Sequence, residues 1–326
     1  MRNICLIGAG EFGNFTSEVM NLLPQFRIYA VVDTDKEARK KLAHQFKAKE
    51  FSNYETALKD PLIDIVMINT PNYLHAKMTI DSIKAGKRVL CEKPIGINER
   101  EVKRVGDALR KYQGRLLVNF LLPQSELYKK LGRIIKNNVY GEVRSIKIQN
   151  LATEATIKTP WYWNKRQSGG WFLTADIHFY HLIRCLSDDK IKFLKSVEYL
   201  YRKKTAAIWT ELQLNHAPVE IYHDFAKSFQ DVDFTASFKF EKAEAIIKGW
   251  IPTSLSIKQK EGSQIFKIEE DRNLIYQRLI AQNLAFLEYL TAEKSLSYFQ
   301  EVLEASEIAF EAESNAGKKN LWKNLK

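Results

Sequence analysis

The sequence predicts an α/β protein in two domains. The first is built on a parallel sheet, the second on a large, mostly antiparallel open sheet. Three observations carry this. The chain, at 326 residues, is longer than one ordinary hydrophobic core serves. Up to about residue 120, short apolar runs alternate with helical stretches, the pattern of buried strands covered by helices on both faces. Beyond Pro123 the runs lengthen and alternate apolar with polar residues, which suits a sheet with one solvated face. The expected domains are residues 1–122 and 123–326.

The elements follow in order. "NICLIGAG" is a strand and "EFGNFTSEVMNLL" a helix that ends by Pro24. "RIYAVVDTD" and "IDIVMINTP" are the next strands, each followed by a helix, "KEARKKLAHQF" and then "YLHAKMTIDSIKAG", which Gly86 terminates. "RVLCEKP" is a fourth strand, and a helix from Glu99 to about Tyr112 leads to "RLLVNFL". In the second part "SELYKKLGRIIKNN" is helical, and a turn at Gly141 opens the strand-like runs "EVRSIKIQNLA", "PVEIYHDFAKSF", "FTASFKFEKAEAIIKGW" and "LSIKQKEGSQIFKIE". Two helices close the chain, roughly Leu274 to Thr291 and Tyr298 to Ser314. No repeat or low-complexity linker interrupts it, so the domains are expected to be tightly connected.

Composition narrows the function classes. Hydrophobic residues make up 45% and charged residues 27%, which excludes a disordered chain. No apolar run reaches the roughly 18 to 20 residues that cross a bilayer, and the opening "MRNICLIGAG" reads as a strand rather than a signal segment. The three cysteines, Cys5, Cys91 and Cys185, form no CxxC or His/Cys ligand spacing, which points to a reduced, cytoplasmic setting without structural zinc. The net charge of +11 is spread in short clusters not interleaved with aromatics. It reads as a lysine-rich solvated surface rather than a nucleic-acid platform, with a field that would draw in an anionic cofactor.

Gly8-Ala9-Gly10-Glu11-Phe12-Gly13 is a GxGxxG run between a strand and a helix, and Asp33 ends the next strand. Glycines there permit a tight turn, close approach of backbone to a pyrophosphate and close helix–strand packing. The run predicts a dinucleotide site made by Gly8, Gly10, Glu11, Phe12 and Gly13, with Asp33 accepting from the adenosine ribose hydroxyls. That acid favours NAD, and nearby Lys36 and Arg39 leave NADP open.

"GKRVLCEKPIG" sets Glu92, Lys93 and Pro94 at the end of an apolar strand, the place where open α/β sheets bind ligands. "INTPNYLHAKMTIDSIKAGKRVLCEKPIG" closely resembles the signature region of the Gfo/Idh/MocA oxidoreductases, and the glycine loop and Asp33 match in order and spacing. The resemblance spans the first domain and continues more loosely through "LGRIIKNNVYGEVRSI", "SGGWFLTADIHFYHLIRCL" and the closing helices. It implies an NAD(P)-dependent enzyme with a Rossmann domain and an α/β domain on an open sheet. Such an enzyme would transfer a hydride between nicotinamide and a hydroxyl or carbonyl carbon of a sugar, cyclitol or related small molecule. Lys93 would be its acid/base, since partial desolvation and the positive nicotinamide lower an ordinary lysine pKa of about 10.4. Thr70, Pro71 and Asn72 would touch the cofactor, Glu92 and Pro94 would shape its site, and Asn119 would reach the nicotinamide. His75 fits either a cofactor contact or helix packing. The resemblance and the large sheet also imply a homodimer or homotetramer formed through the second domain.

The second domain departs from the family pattern of an aspartate, a histidine four residues on and a second aspartate three further. Here Thr174, His178 and His181 stand at those positions. His178 matches and is expected to assist Lys93 at the substrate. On a helix Thr174 and His178 share a face, so Asp176 points away, with a role at the helix N-terminus that Thr174 caps. His178 and His181 lack the further ligands a metal needs. Thr174, His178, His181 and Tyr162 are the candidate substrate contacts. Tyr162 belongs to a group with Trp161, Trp163 and Trp171 that fits either sugar stacking or core. Two alternatives stay open: a dinucleotide-sensing regulatory or binding protein, and a reductase of a non-sugar double bond like the biliverdin reductases, which alter the lysine kept here.

Overall fold

The computed structural model describes residues 1–152, 159–225 and 233–320. They form two compact units. One comprises residues 1–121, 166–169 and 273–303, the other 122–165, 170–272 and 304–326.

The first unit holds β1 (Arg2–Ile7), α1 (Glu11–Ser17), β2 (Phe26–Val32), α2 (Lys36–Phe46), β3 (Lys49–Phe51) and α3 (Tyr54–Ala57). It continues with β4 (Ile65–Ile68), α4 (Asn72–Lys84), β5 (Arg88–Cys91), α5 (Glu99–Tyr112) and β6 (Arg115–Val118). The strands make one parallel sheet in the order β3-β2-β1-β4-β5-β6. Ile4, Cys5, Leu6, Ile65, Val66 and Ile68 are all fully buried, as expected of strands covered on both faces. Strand order reverses between β1 and β4, so the loops leaving those strands diverge at the sheet's carboxyl edge. The glycine loop follows β1 and Asn69–Pro71 follows β4 at that edge. Local caps hold the surrounding helices. The Asn98 side chain accepts from Glu101 N–H, and the Glu101 carboxylate accepts from Ile97 N–H, a reciprocal cap on α5 worth about 1 kcal/mol.

The second unit is built on α6 (Glu126–Lys136), β7 (Val143–Leu151), α7 (Pro160–Trp163), α8 (Lys165–Ser168, shared with the first unit), a π-helical turn (Phe172–Asp176) and α9 (Ile177–Leu186). There follow β8 (Ile191–Tyr201), β9 (Lys204–Leu214), β10 (Ala217–Asp224), β11 (Asp233–Phe240), β12 (Glu244–Lys248), β13 (Ser254–Gln259) and β14 (Gly262–Lys267). After α10 (Arg272–Tyr289) and α11 (Ala292–Asn315), β15 (Gly317–Asn320) completes a nine-stranded sheet in the order β14-β13-β12-β11-β7-β10-β9-β8-β15. Among the described residues only β7–β10 and β8–β15 of this sheet pair in parallel. Alternation is clear in β10, where Ala217, Val219, Ile221 and His223 are buried while Glu220, Tyr222 and Asp224 are half-buried. The part of "PVEIYHDFAKSF" beyond Phe225 lies outside the described residues, as does the end of the basic "NAGKKNLWKNLK".

Residues 273–303 follow the second sheet in sequence yet bond to the first. Ser295 Oγ accepts from Leu116 N–H at 2.8 Å and donates to Leu116 C=O at 3.0 Å, closing the free edge of β6. Tyr298 donates to Val118 C=O at 2.7 Å, and Arg2 pairs with Glu288 at 2.6 Å. The last helix starts at Ala292, earlier than the apolar pattern suggests, because the Thr291 hydroxyl accepts from Lys294 N–H and caps it.

Candidate functional site

Two of the three glycines in the loop are fixed by backbone neighbours. Gly8 has φ +99°, and a side chain there would strike the carbonyl of Asn69; one at Gly13 would strike the carbonyl of Gly8. Gly10 is different. Nothing of the described protein lies within 4 Å of where its Cβ would stand, so packing does not explain the glycine, whereas close approach of a ligand does. Gly10 also precedes α1 without a side-chain cap, and Glu11 and Phe12 form the first turn with Phe12 at the surface.

Asp33 ties this loop to the end of β2. Its carboxylate accepts from Ala9 N–H at 2.6 Å and from Asp35 N–H at 2.8 Å. Arg39 donates to the Asp33 carbonyl at 2.6 Å and lies 3.5 Å from Glu50, while Lys36 is exposed. A carboxylate held beside the glycine loop suits ribose hydroxyls, and the residues present fit an adenine dinucleotide.

The loops after β4 and β5 are joined by His75. It is buried, with Nδ1 2.7 Å from the Pro94 carbonyl and Nε2 2.7 Å from the Thr70 carbonyl. Burial lowers its pKa, the two carbonyls oppose that, and the Lys93 charge adds to the lowering. Thr70 Oγ1 reaches Met78 Sδ, Pro71 stands at the N-cap of α4, and the buried Asn72 amide donates to the Ser168 carbonyl at 2.8 Å. His75 thus latches the Thr-Pro-Asn turn to the Glu-Lys-Pro turn.

Lys93 leaves the carboxyl end of β5, and its peptide bond to Pro94 is cis. Beside it, Glu92 accepts a short hydrogen bond from the Asn119 amide at the end of β6. Asn119 Oδ1 in turn accepts from Asn283 of α10 at 2.8 Å. Burial pushes the Glu92 carboxyl up to about 7, against the Asn119 bond, the Lys93 charge and the Lys93 backbone N–H. Tyr276 of α10 stacks on Phe15 of α1 at 5.0 Å. Neither Asn283 nor Tyr276 was legible as part of the site, since both come from the distant end of the chain.

In the second unit the segment Phe172–Leu182 is buried throughout. Thr174, Asp176, His178 and His181 are all inside it. Asp176 stands at the N-cap position of α9, as expected, but the expectation that Thr174 caps the helix is corrected here: neither the π turn nor α9 has a side-chain cap bond, and the Asp176 carboxylate reaches the sheet. Asp176 Oδ1 lies 3.0 Å from His223 Nδ1, and His223 Nε2 lies 2.8 Å from the Asn150 amide. Tyr180 lies beside this network, its hydroxyl 2.9 Å from Thr210 Oγ1, and the Asp176 charge adds to the burial that raises its pKa. Both faces of the helix are covered, and the side that carries Asp176 packs on β10 through His223. His178 meets Trp250 edge-on at 4.9 Å. His181 lies against Cys185, and burial pushes its pKa down to about 3, so it is neutral near pH 7.

The helix start is anchored by Glu313. Gly170, at φ +96°, leaves room for that carboxylate, which accepts from Phe172 N–H at 3.3 Å and pairs with Lys165 at 2.7 Å. Tyr162 contacts Trp161, Trp163 and Trp171 edge-on, and Trp171 stacks on the buried Phe225, which extends the core cluster. Among the described residues no helix is long and apolar enough to cross a membrane.

Residues 2–120 match the profile of a family described as an oxidoreductase family with an NAD-binding Rossmann fold, GFO_IDH_MocA. Myo-inositol 2-dehydrogenase of Thermotoga maritima is 25% identical over 190 residues, 58% of this chain and 56% of that protein. The 2,7-anhydro-N-acetylneuraminate hydratase of Escherichia coli is 29% identical over 188 residues, 56% of this chain and 47% of that one. The chain thus spans about half the length of the curated relatives it matches. In fold the likeness is wider. KijD10, a 3-ketoreductase from Actinomadura kijaniata with NADP and TDP-benzene bound, superposes with TM-score 0.83 at 15% identity, covering 98% of this chain and 99% of that one. Levoglucosan dehydrogenase in complex with NADH and levoglucosan gives 0.83 at 17% identity, covering 96% and 98%. With the glycine loop, Asp33 and the Glu-Lys-Pro turn on one sheet edge, residues 2–120 match the Gfo/Idh/MocA oxidoreductase family and its NAD-binding Rossmann fold.

Proposed function

We propose that the protein is an NAD-dependent dehydrogenase or reductase acting on a hydroxyl or carbonyl carbon of a sugar, cyclitol or related small molecule. The observation that carries this is Lys93 at the carboxyl edge of the parallel sheet, on the same edge as the glycine loop and Asp33. A bound nicotinamide would supply the hydride acceptor or donor. The chain's residues do the rest. Gly8 to Gly13 give backbone access to the pyrophosphate, Asp33 takes the ribose hydroxyls, and Thr70, Pro71 and Asn72 line the same edge. Lys93 Nζ takes the hydroxyl proton in oxidation and returns it in reduction. His178, Thr174 and Tyr162 are assigned to the substrate side, with His178 assisting the proton. Relatives whose names specify a polyol or sugar substrate support the substrate class. Thr174 and His181, where the family pattern carries carboxylates, favour the second reading, a dinucleotide-sensing protein without turnover.

Sugars and cyclitols offered with NAD, and ketosugars with NADH, separate the readings by the change in NADH absorbance. Turnover on any member supports the first, and tight NADH binding with none on the whole panel supports the second. We assign a homodimer or homotetramer, joined through the outer face of the nine-stranded sheet, to the protein in solution. Light scattering at micromolar concentration should give two or four chain masses, and a strictly monomeric mass would reject the assembly.

A further inference from the structure

We propose that Glu92, oriented by Asn119 and through it by Asn283, sets the protonation of Lys93, so that the acid/base of this site is a carboxyl–ammonium couple rather than a lone lysine. The inference rests on the reading of Lys93 as the acid/base, and it assigns Asn283 as a positioning residue.

The geometry is directional. The Asn283 amide nitrogen donates to Asn119 Oδ1 at 2.8 Å and to the Phe120 carbonyl at 3.2 Å, two acceptors that fix which way this amide faces. Its own buried Oδ1 has no hydrogen-bond partner among the described residues, so the donor end is the end in use. Because Asn119 Oδ1 is taken, its NH2 must face Glu92, and a flipped Asn119 would set a carbonyl against the carboxyl. The arrangement holds the Glu92 carboxyl at the end of β5, in the residue directly before the one that carries the amine.

The electrostatics work in the same direction. Carboxyls and lysines ordinarily titrate far apart, near about 4.3 and 10.4. Burial draws Glu92 up to about 7, and the Lys93 charge pulls it back. Reciprocity follows: an ionised Glu92 stabilises the Lys93 ammonium, and a protonated Glu92 releases it, so the two titrate as a pair. Titratable groups that feel their charges are Cys91 on the same strand end, Tyr276 from α10 and His75 from α4. Burial raises Cys91 and Tyr276, with the Glu92 charge adding to both, so they stay neutral near pH 7. His75 feels the Lys93 charge and is lowered by burial. Among the described residues, the charge that acts on the Glu92 carboxyl is that of Lys93.

The test reads Lys93 itself, with or without substrate. Acetylation of Lys93 by trace acetic anhydride, followed across pH by mass spectrometry of its peptide, gives the midpoint at which the amine becomes reactive. Glu92→Gln keeps an acceptor for Asn119 and removes the charge, and the midpoint should fall by about one pH unit or more. Asn283→Ala should move it the same way by less, because the ionised Glu92 loses support. NADH affinity, measured by fluorescence on the same preparations, reports dinucleotide binding separately from the labelling midpoint. A purely structural role would lower stability and leave the midpoint in place. An unchanged midpoint in folded Glu92→Gln overturns the proposal, and should that variant not fold, an unchanged midpoint in Asn283→Ala does so. If the wild type neither binds NADH nor turns over any substrate, the proposed function fails, while the labelling still decides whether Glu92 governs Lys93.

Discussion

The two units of the chain are built by different means. In the first unit the features that matter are properties of the backbone: a glycine with positive φ under a carbonyl, a helix start without a side-chain cap, and strand ends meeting where sheet order reverses. In the second unit they are properties of side chains meeting across the structure, as where Asp176 reaches His223, itself held by Asn150 from the neighbouring strand. Backbone demands restrict residue type at short spacing and so leave a mark in the sequence. Side-chain partnerships set few such restrictions, because either partner is satisfied by many sequences.

Breaking the first kind of feature should have the largest effect. Gly13→Val would place a side chain against the Gly8 carbonyl, and backbone has nowhere to yield. NADH affinity should fall by about 1,000-fold, or about 4 kcal/mol, in fluorescence titration. Retained binding would mean that the loop does not hold the dinucleotide.

Next in size is the buried pair of the second unit. Asp176→Ala leaves His223 without its carboxylate in a site where both side chains are essentially fully buried, and should cost about 3 kcal/mol in urea denaturation. NADH affinity should stay unchanged. A silent Asp176→Ala with full stability would remove the network from the account, and loss of turnover in a variant of native stability would instead make Asp176 part of the chemistry.

The legibility of the molecule follows the same division. The strand and helix succession to residue 120, the glycine loop, Asp33 and the Glu-Lys-Pro turn were readable because period, glycine placement and proline stops are local. Asn283 and Ser295 were not, since their partners Asn119 and Leu116 lie 164 and 179 residues earlier in the chain. The expectation that Thr174 caps this helix failed for a definite reason. A helical wheel divides residues into faces but does not say how many are covered, and here burial is complete and the first turn is π-helical.

A smaller effect should sharpen the cofactor side. Asp33→Ser removes the charge beside the ribose site and the acceptor for Ala9 N–H. It should reduce the preference for NADH over NADPH by about ten-fold, the change expected for one charged hydrogen bond. Tighter binding of NADPH than NADH by the wild type would reverse the reading of Asp33, with Arg39 then the group to examine.

The most direct test of the account separates holding the dinucleotide from using it. Once a substrate is found, turnover and NADH affinity are measured on one preparation of Lys93→Met. The account predicts turnover lower by roughly 100-fold to 10,000-fold, with NADH affinity within about three-fold of the wild type because the glycine loop and Asp33 are untouched. Turnover that survives the substitution, or NADH affinity that collapses along with it, would contradict the assignment of Lys93 as the acid/base.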